Sequence, residues 1–408
     1  MRERLLAFLR IFGPGMLVAA TGVGAADLAT ASFAGSHYGT AILWAVVVGA
    51  FLKFVVNEGL ARWQLATGTT LLEGVAMRLG RPTMWLFMPY LVLWSFFTGT
   101  AMMSGCGVTL HALIPVFDDP AHGKAFFGIA ASVIGYGCVW YGGYRLFEKL
   151  MAVCIGIMFI TVVVMAIVLW PGIGEIARGL FIPSIPDDGG LGIQWTVALI
   201  GGVGGTVTIL SYSYWIREEG RTSPAALTDC RIDLAAGYLM TALFGLSVVI
   251  IGSTVDIARN DAGMLVALSD QLQTHLGPIG RWMFLLGVLG AVFSSLLGVW
   301  QATPYIFADT LALIRGRDAG TSLSTAAPAY RWYLFAMATL PAIGLFRSFQ
   351  DIQRVYAVVG AFIVPLLALA LIILNSRAAW VGAEHRNRPL TVLILAATLG
   401  FFVWIAVR

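Results

Sequence analysis

TGVGAADLAT (21–30) and GGVGGTVTIL (201–210) are the two stretches on which the reading of this chain turns. Each lies inside a long apolar segment, and each carries Gly-Val-Gly where a helix would be better served by Leu or Ala. Glycine costs a helix about 1 kcal/mol relative to Ala, so Gly22 and Gly24 in one segment, and Gly201, Gly202, Gly204 and Gly205 in the other, mark points where a helix unwinds readily. The first patch runs into a carboxylate, Asp27, and the second into hydroxyls, Thr206 and Thr208. Asp27 is the only acid in its segment, and a charge at such depth in an apolar helix calls for a cavity or a partner. Its plainer reading is a cap on the N-terminus of a resumed helix, which itself requires the break.

The segments around these patches are membrane spans. Of the 408 residues, 59% are hydrophobic and 11% charged, against about a quarter charged in soluble domains. Apolar runs long enough to cross about 30 Å of hydrocarbon recur from end to end. Eleven are expected: 12–36, 41–66, 84–114, 125–143, 149–170, 192–215, 232–254, 281–308, 330–346, 353–375 and 389–406. Runs of this length exclude barrel strands, so the fold class is an all-α polytopic membrane protein. MRERLLAFLR at the start is basic, but the apolar run behind it is too long for a signal peptide and is expected to be retained. Seventeen of the 25 Lys and Arg residues then fall on the side that holds the N-terminus, seven fall on the other, and Lys53 lies inside a span. The positive-inside bias therefore predicts a cytoplasmic N-terminus and an outside C-terminus, in a bacterial inner membrane. It also accounts for the net charge of +4 without any call for nucleic acid. Cys106, Cys138, Cys154 and Cys230 show no metal-ligand spacing and read as small packing residues.

Small residues in membrane helices usually serve close packing, and for one such stretch alone that reading comes first. Here the two stretches fall in spans 1 and 6. Interrupted segments at corresponding positions of two halves point to the midplane site of a secondary transporter. The implied organisation is a first inverted repeat over 1–170, a second over 171–375, and an additional helix in 376–408. An enzyme is not indicated, because HExxH, GxSxG and paired membrane acids are missing. A channel would need a filter repeat or a charged ring, which one buried acid does not make.

The run GPGMLVAATGVGAADLATASFAGSHYGTAILW (13–44) resembles the first helix of the Nramp family of proton-coupled divalent metal transporters. ATG (66–68), GGYRLFEKLM (142–151), RGLFIPSIP (178–186) and GAVFSSLLGVW (290–300) extend the resemblance over spans 1 to 10. It implies a five-plus-five inverted-repeat fold with helices 1 and 6 unwound. The family's Asp-Pro-Gly-Asn signature, however, falls on Gly24, Ala25, Ala26 and Asp27, and its Met-Pro-His on Thr208, Ile209 and Leu210. The family's acids in helix 3 are also missing from WSFFTGTAMMSGCGVTLHA (94–112). On this alignment the second break is expected near 206–211, a few residues beyond its Gly-Val-Gly.

The expected substrate site comprises Thr21, Gly22, Gly24, Asp27, Thr206, Thr208, Ser211 and Tyr212, with no cofactor. It offers neither the nitrogen nor the sulfur ligands that select transition metals. A small oxyanion such as bicarbonate suits helix N-termini and hydroxyls. A hard divalent cation such as Mg²⁺ is the alternative, since it accepts one carboxylate, carbonyls and water. Asp27 is a candidate for a coupled proton or Na⁺, and Ser294 and Ser295 are candidates for Na⁺ oxygens. WIREEGRTS (215–223) reads first as a solvated helix end, with a gating contact by Arg217 or Arg221 as the alternative.

Overall fold

The computed structural model describes residues 13–185, 191–202, 204–254, 264–316 and 325–407. The start of the first expected span lies outside the described residues. Every regular element among them is helical. Span 1 is two helices, α1 (Pro14–Gly22) and α2 (Ala25–Tyr38). They are followed by α3 (Leu43–Thr67), a short α4 (Leu71–Leu79) and α5 (Pro82–Leu113). Next come α6 (Pro120–Val168) and α7 (Ile173–Phe181). Span 6 is again two helices, α8 (Leu191–Gly202) and α9 (Tyr212–Glu218), with a 3₁₀ turn over Val207–Ser211 between them. The remainder is α10 (Leu227–Ser253), α11 (Met264–Ile314), α12 (Pro328–Thr339), α13 (Phe349–Ala361), α14 (Ile363–Asn375), α15 (Ala378–Val381) and α16 (Pro389–Val407).

Among the described residues, seven helical stretches are long and apolar enough to span a bilayer. Two of them supply two expected spans each. The 49 residues of α6 would reach about 74 Å if straight, more than twice the hydrocarbon thickness. Gly143, at φ 61°, interrupts that run where the fourth and fifth spans were expected to divide. The stretch Asp27–Thr67 likewise turns through the 3₁₀ segment Gly39–Ile42. The ninth and eleventh expected spans correspond to α12 with its 3₁₀ extension Leu340–Phe346, and to the shorter apolar helix Pro389–Trp404.

Segments expected on one side of the membrane meet one another. Arg217 bonds the Gly68 carbonyl and Glu73, and Gly316 sits against Arg81. At the other end, Trp44 Nε1 donates to the Ser184 carbonyl at 3.1 Å. Arg217 and Arg221 therefore do not follow the solvated reading. Arg221 Nη1 lies 3.1 Å from Asp233, which also accepts from the Gly13 and Gly15 N–H groups and so anchors the start of α1 to α10.

Candidate functional site

The break in span 1 is built from glycine and one acid. Gly24 is extended and has no side chain with which to cap α2. Asp27, at the third helical position, reaches back instead, and its Oδ2 accepts the Gly24 N–H at 2.8 Å. A carboxylate at a helix N-terminus is favourable, because unpaired N–H groups carry about half a positive charge there. In span 6, α8 stops at Gly202, and Gly204 and Gly205 both adopt positive φ (91° and 92°), where a side chain would be strained. The second break thus begins at its Gly-Val-Gly, earlier than the family alignment placed it.

The two breaks touch. A Cβ on Gly22 would lie 2.5 Å from the Gly204 carbonyl carbon and 2.7 Å from the Gly205 nitrogen, so only glycine permits the approach. Asp27 Oδ1 faces Gly202, 3.7 Å from where a Cβ would stand. The same helix end meets Lys53 of α3, whose Nζ donates to the Gly201 carbonyl at 2.8 Å. Each charge meets a helix end of opposite partial charge, Asp27 at an N-terminus and Lys53 at a C-terminus. Lys53 is 0% exposed and Asp27 4%, and each is the other's electrostatic counterpart.

Hydrogen-bond donors surround the second break. Trp94 Nε1 donates to Thr206 Oγ1 at 2.9 Å, and the Thr206 N–H donates to Thr208 Oγ1 at 3.3 Å. The Tyr356 hydroxyl of α13 lies beside Thr206, and Gly360, one turn on, packs against the Thr206 side chain. All of these groups are buried, so the site is sealed. A cavity of about 440 Å³ lies instead against the 38–41 turn and α7, and none of the sequence-expected site residues lines it.

Of those expected residues, Gly22, Gly24, Asp27, Thr206 and Thr208 gather at the breaks. Three do not line them. The Thr21 hydroxyl is turned to Gly298 of α11, whose lack of a side chain makes room for it. The Tyr212 hydroxyl points to the Cys230 carbonyl and Asp233, both at 3.4 Å, because α9 has already carried it toward the start of α1. Ser211, between the two, is buried without a hydrogen-bond partner among the described residues. Ser294 and Ser295 sit at the C-terminal end of α1. Ser295 Oγ is 3.1 Å from the Ala20 carbonyl oxygen and 2.8 Å from that of Val23. Ser294 Oγ is 3.4 Å from the Ala20 oxygen and 2.9 Å from that of Ala291. Five oxygens without a carboxylate converge there.

Sequence reasoning did not place Lys53, Trp94 or Tyr356 in the site. For Lys53 the signal was present: it lies deep inside an expected span, about a dozen residues from either end of 41–66, and intramembrane charges are functional by default. Trp94 and Tyr356 carry no such mark among the chain's 13 Trp and 12 Tyr residues.

The position of the family's helix 1 Asp is no longer open space. A Cβ on Gly24 would meet Met102 Cε and Ser295 Oγ, both at 3.1 Å. Among the described residues, no three His, Cys, Asp or Glu side chains are grouped to hold a metal. Restoring the acid by Gly24→Asp is therefore expected to produce no Mn²⁺ binding by calorimetry. It is expected to lower stability by about 1–3 kcal/mol through overpacking. Micromolar Mn²⁺ binding by that variant would show that one carboxylate is all the site lacks.

Two broken helices meeting at their glycines, with buried charges at the breaks inside an all-helical bundle, define a membrane transporter of the inverted-repeat class. Among solved structures, the fold is similar to that of a manganese transporter of Eremococcus coleocola (TM-score 0.74, 18% identity, covering 97% of this chain and 84% of that one). It is more distantly similar to Mhp1, a nucleobase-cation-symport-1 family transporter (TM-score 0.52, 13% identity, covering 97% and 93%). The family described as Natural resistance-associated macrophage protein-like matches residues 15–408, and the chain belongs to this Nramp family. Similar relatives include protein PM0681 of Pasteurella multocida, 24% identical over 66% of this chain and 62% of that protein's own length. The divalent metal cation transporter MntH of Deinococcus radiodurans is 22% identical over 98% of this chain and 90% of its own.

Proposed function

We propose that this protein is a secondary transporter for a small oxyanion of bicarbonate size, moved by alternating access together with Na⁺. The observation that carries this reading is Lys53. An ammonium buried at the second break, among N–H and O–H donors from Trp94, Tyr356, Thr206 and Thr208, suits an anion and repels a free cation. Asp27 is engaged with the Gly24 N–H, which spends its charge on the fold. The oxygens of Ala20, Val23, Ala291, Ser294 and Ser295 supply the ligands for a coupled Na⁺, whose charge offsets that of the anion. Loops rich in Arg at the α4 and α9 end support a cytoplasmic position for that end.

The relatives named as divalent metal cation transporters, together with Asp27, favour a second reading in which Mg²⁺ or Mn²⁺ is the cargo. That reading requires Lys53 to release its proton, or to swing away, when the metal arrives.

The test is uptake into proteoliposomes, read by an internal pH dye under an inward bicarbonate gradient and in parallel by Mg²⁺- and Mn²⁺-sensitive dyes. Alkalinisation that needs Na⁺, with silent metal dyes, is expected. Ser295→Ala should then raise the Na⁺ concentration for half-maximal uptake about tenfold, the effect of losing about 1.4 kcal/mol of binding. Metal entry abolished by Asp27→Ala, without any bicarbonate response, would replace the anion by the cation.

A further inference from the structure

Below the second break, α9 and α11 are joined by a reciprocal arrangement. Each contributes a tyrosine and, four residues on, an acid: Tyr214 and Glu218 on α9, Tyr305 and Asp309 on α11. The Tyr214 hydroxyl donates to Asp309 Oδ2 at 2.7 Å, and the Tyr305 hydroxyl donates to Glu218 Oε1 at 2.8 Å. The pairing runs in opposite directions along the two helices, which brings the tyrosines side by side. Their rings stack, with centroids 5.5 Å apart and planes 10° from parallel.

Three observations make this more than packing. First, the two bonds differ in depth: Tyr214 and Asp309 are buried, whereas Glu218 is exposed. A cavity of about 240 Å³ lined by Tyr214, Arg217, Glu218 and Tyr305 ends on the ring pair. Secondly, α9 is only seven residues long and is cut off from α8 by Gly204 and Gly205, so it is able to pivot as a unit. Thirdly, Asp309 is 0% exposed, and its Oδ1 has no hydrogen-bond partner among the described residues. Its Oδ2 accepts from Tyr214 and from Thr70 of the α3–α4 turn at 3.2 Å. A buried carboxylate held so sparingly is readily hydrated once one donor leaves.

We propose that Tyr214, Glu218, Tyr305 and Asp309 form an inner gate, a clasp that shuts the path from the second break to the end of the molecule bearing α4 and must part for cargo to pass. The proposal rests on the transport reading but not on the identity of the cargo. When α9 pivots, both phenol–carboxylate bonds and the ring stack are lost together, and the cavity joins the break. Arg217, which bonds Glu73 and the Gly68 carbonyl from the same short helix, is released in the same movement.

The gate is tested without transport. Ser211→Cys places a thiol between the break and the clasp, in a background with the four native cysteines replaced by Ala. Its alkylation by a membrane-impermeant maleimide is timed in sealed vesicles of each orientation. Tyr214→Phe and Tyr305→Phe, which keep the rings and remove the hydroxyls, are each expected to speed labelling from the α4 end about tenfold. Labelling from the opposite end should not increase. Unchanged rates from the α4 end in both variants, or a rise from both ends as loosened packing would give, overturns the proposal. Should bicarbonate and metal uptake both be absent, the labelling result still stands on its own.

Discussion

Lys53→Met is expected to abolish transport and to destabilise the protein by about 3–5 kcal/mol, the usual cost of leaving a buried charge without its counter-charge. The substitution keeps the apolar stem but takes the ammonium from the Gly201 carbonyl and from the neighbourhood of Asp27. Two buried groups lose their partner at once. The Gly201 carbonyl becomes an orphan at the end of α8, and the Asp27 carboxylate keeps the Gly24 N–H but loses its counter-charge in a buried site. Adding Asp27→Asn to Lys53→Met removes the second charge, while the Asn amide oxygen still accepts the Gly24 N–H. The double variant should therefore recover a large part of the lost stability and none of the transport. Unfolding midpoints of the four proteins in detergent, followed by tryptophan fluorescence, give the coupling directly. Additive effects would mean that the two charges do not interact across the end of α8, and the double variant would then be no more stable than Lys53→Met.

Gly22→Ala is expected to reduce transport by more than tenfold and to cost about 1–3 kcal/mol in stability, the range for overpacking a filled interior. The added methyl would stand 2.5 Å from the Gly204 carbonyl carbon. What it strikes is backbone, which no rotamer change relieves, so the two breaks must separate. Gly156→Ala is the matched control, because a Cβ there meets nothing within 4 Å and the residue lies in α6. That change should leave transport intact and gain up to about 1 kcal/mol from helix propensity. Equal behaviour of the two variants would show that contact between the breaks has no part in the transport cycle.

Much of this architecture was legible in the chain before folding was considered. Apolar runs of membrane length imposed helices, because a backbone in lipid has no other way to satisfy its polar groups along one segment. The clusters at Gly22–Gly24 and Gly201–Gly205 marked where those helices stop, and Asp27 marked the N-terminus of the resumed half. Local chemistry decides such features, and local chemistry is what a sequence displays. The misreadings had an equally physical origin. Thr21 and Tyr212 are neighbours of the breaks along the chain, yet helical rotation turns one hydroxyl to Gly298 and carries the other to Asp233.

Sequence alone thus determined the class of fold and the two breaks. Only tertiary structure decided that Gly22 meets Gly204, that Lys53 closes the end of α8, and that Met102 fills the space left at Gly24. These partners lie far apart in sequence. Burial leaves each polar or bare position to be satisfied by whatever the fold brings within 3 to 4 Å, a choice made by packing across the bundle.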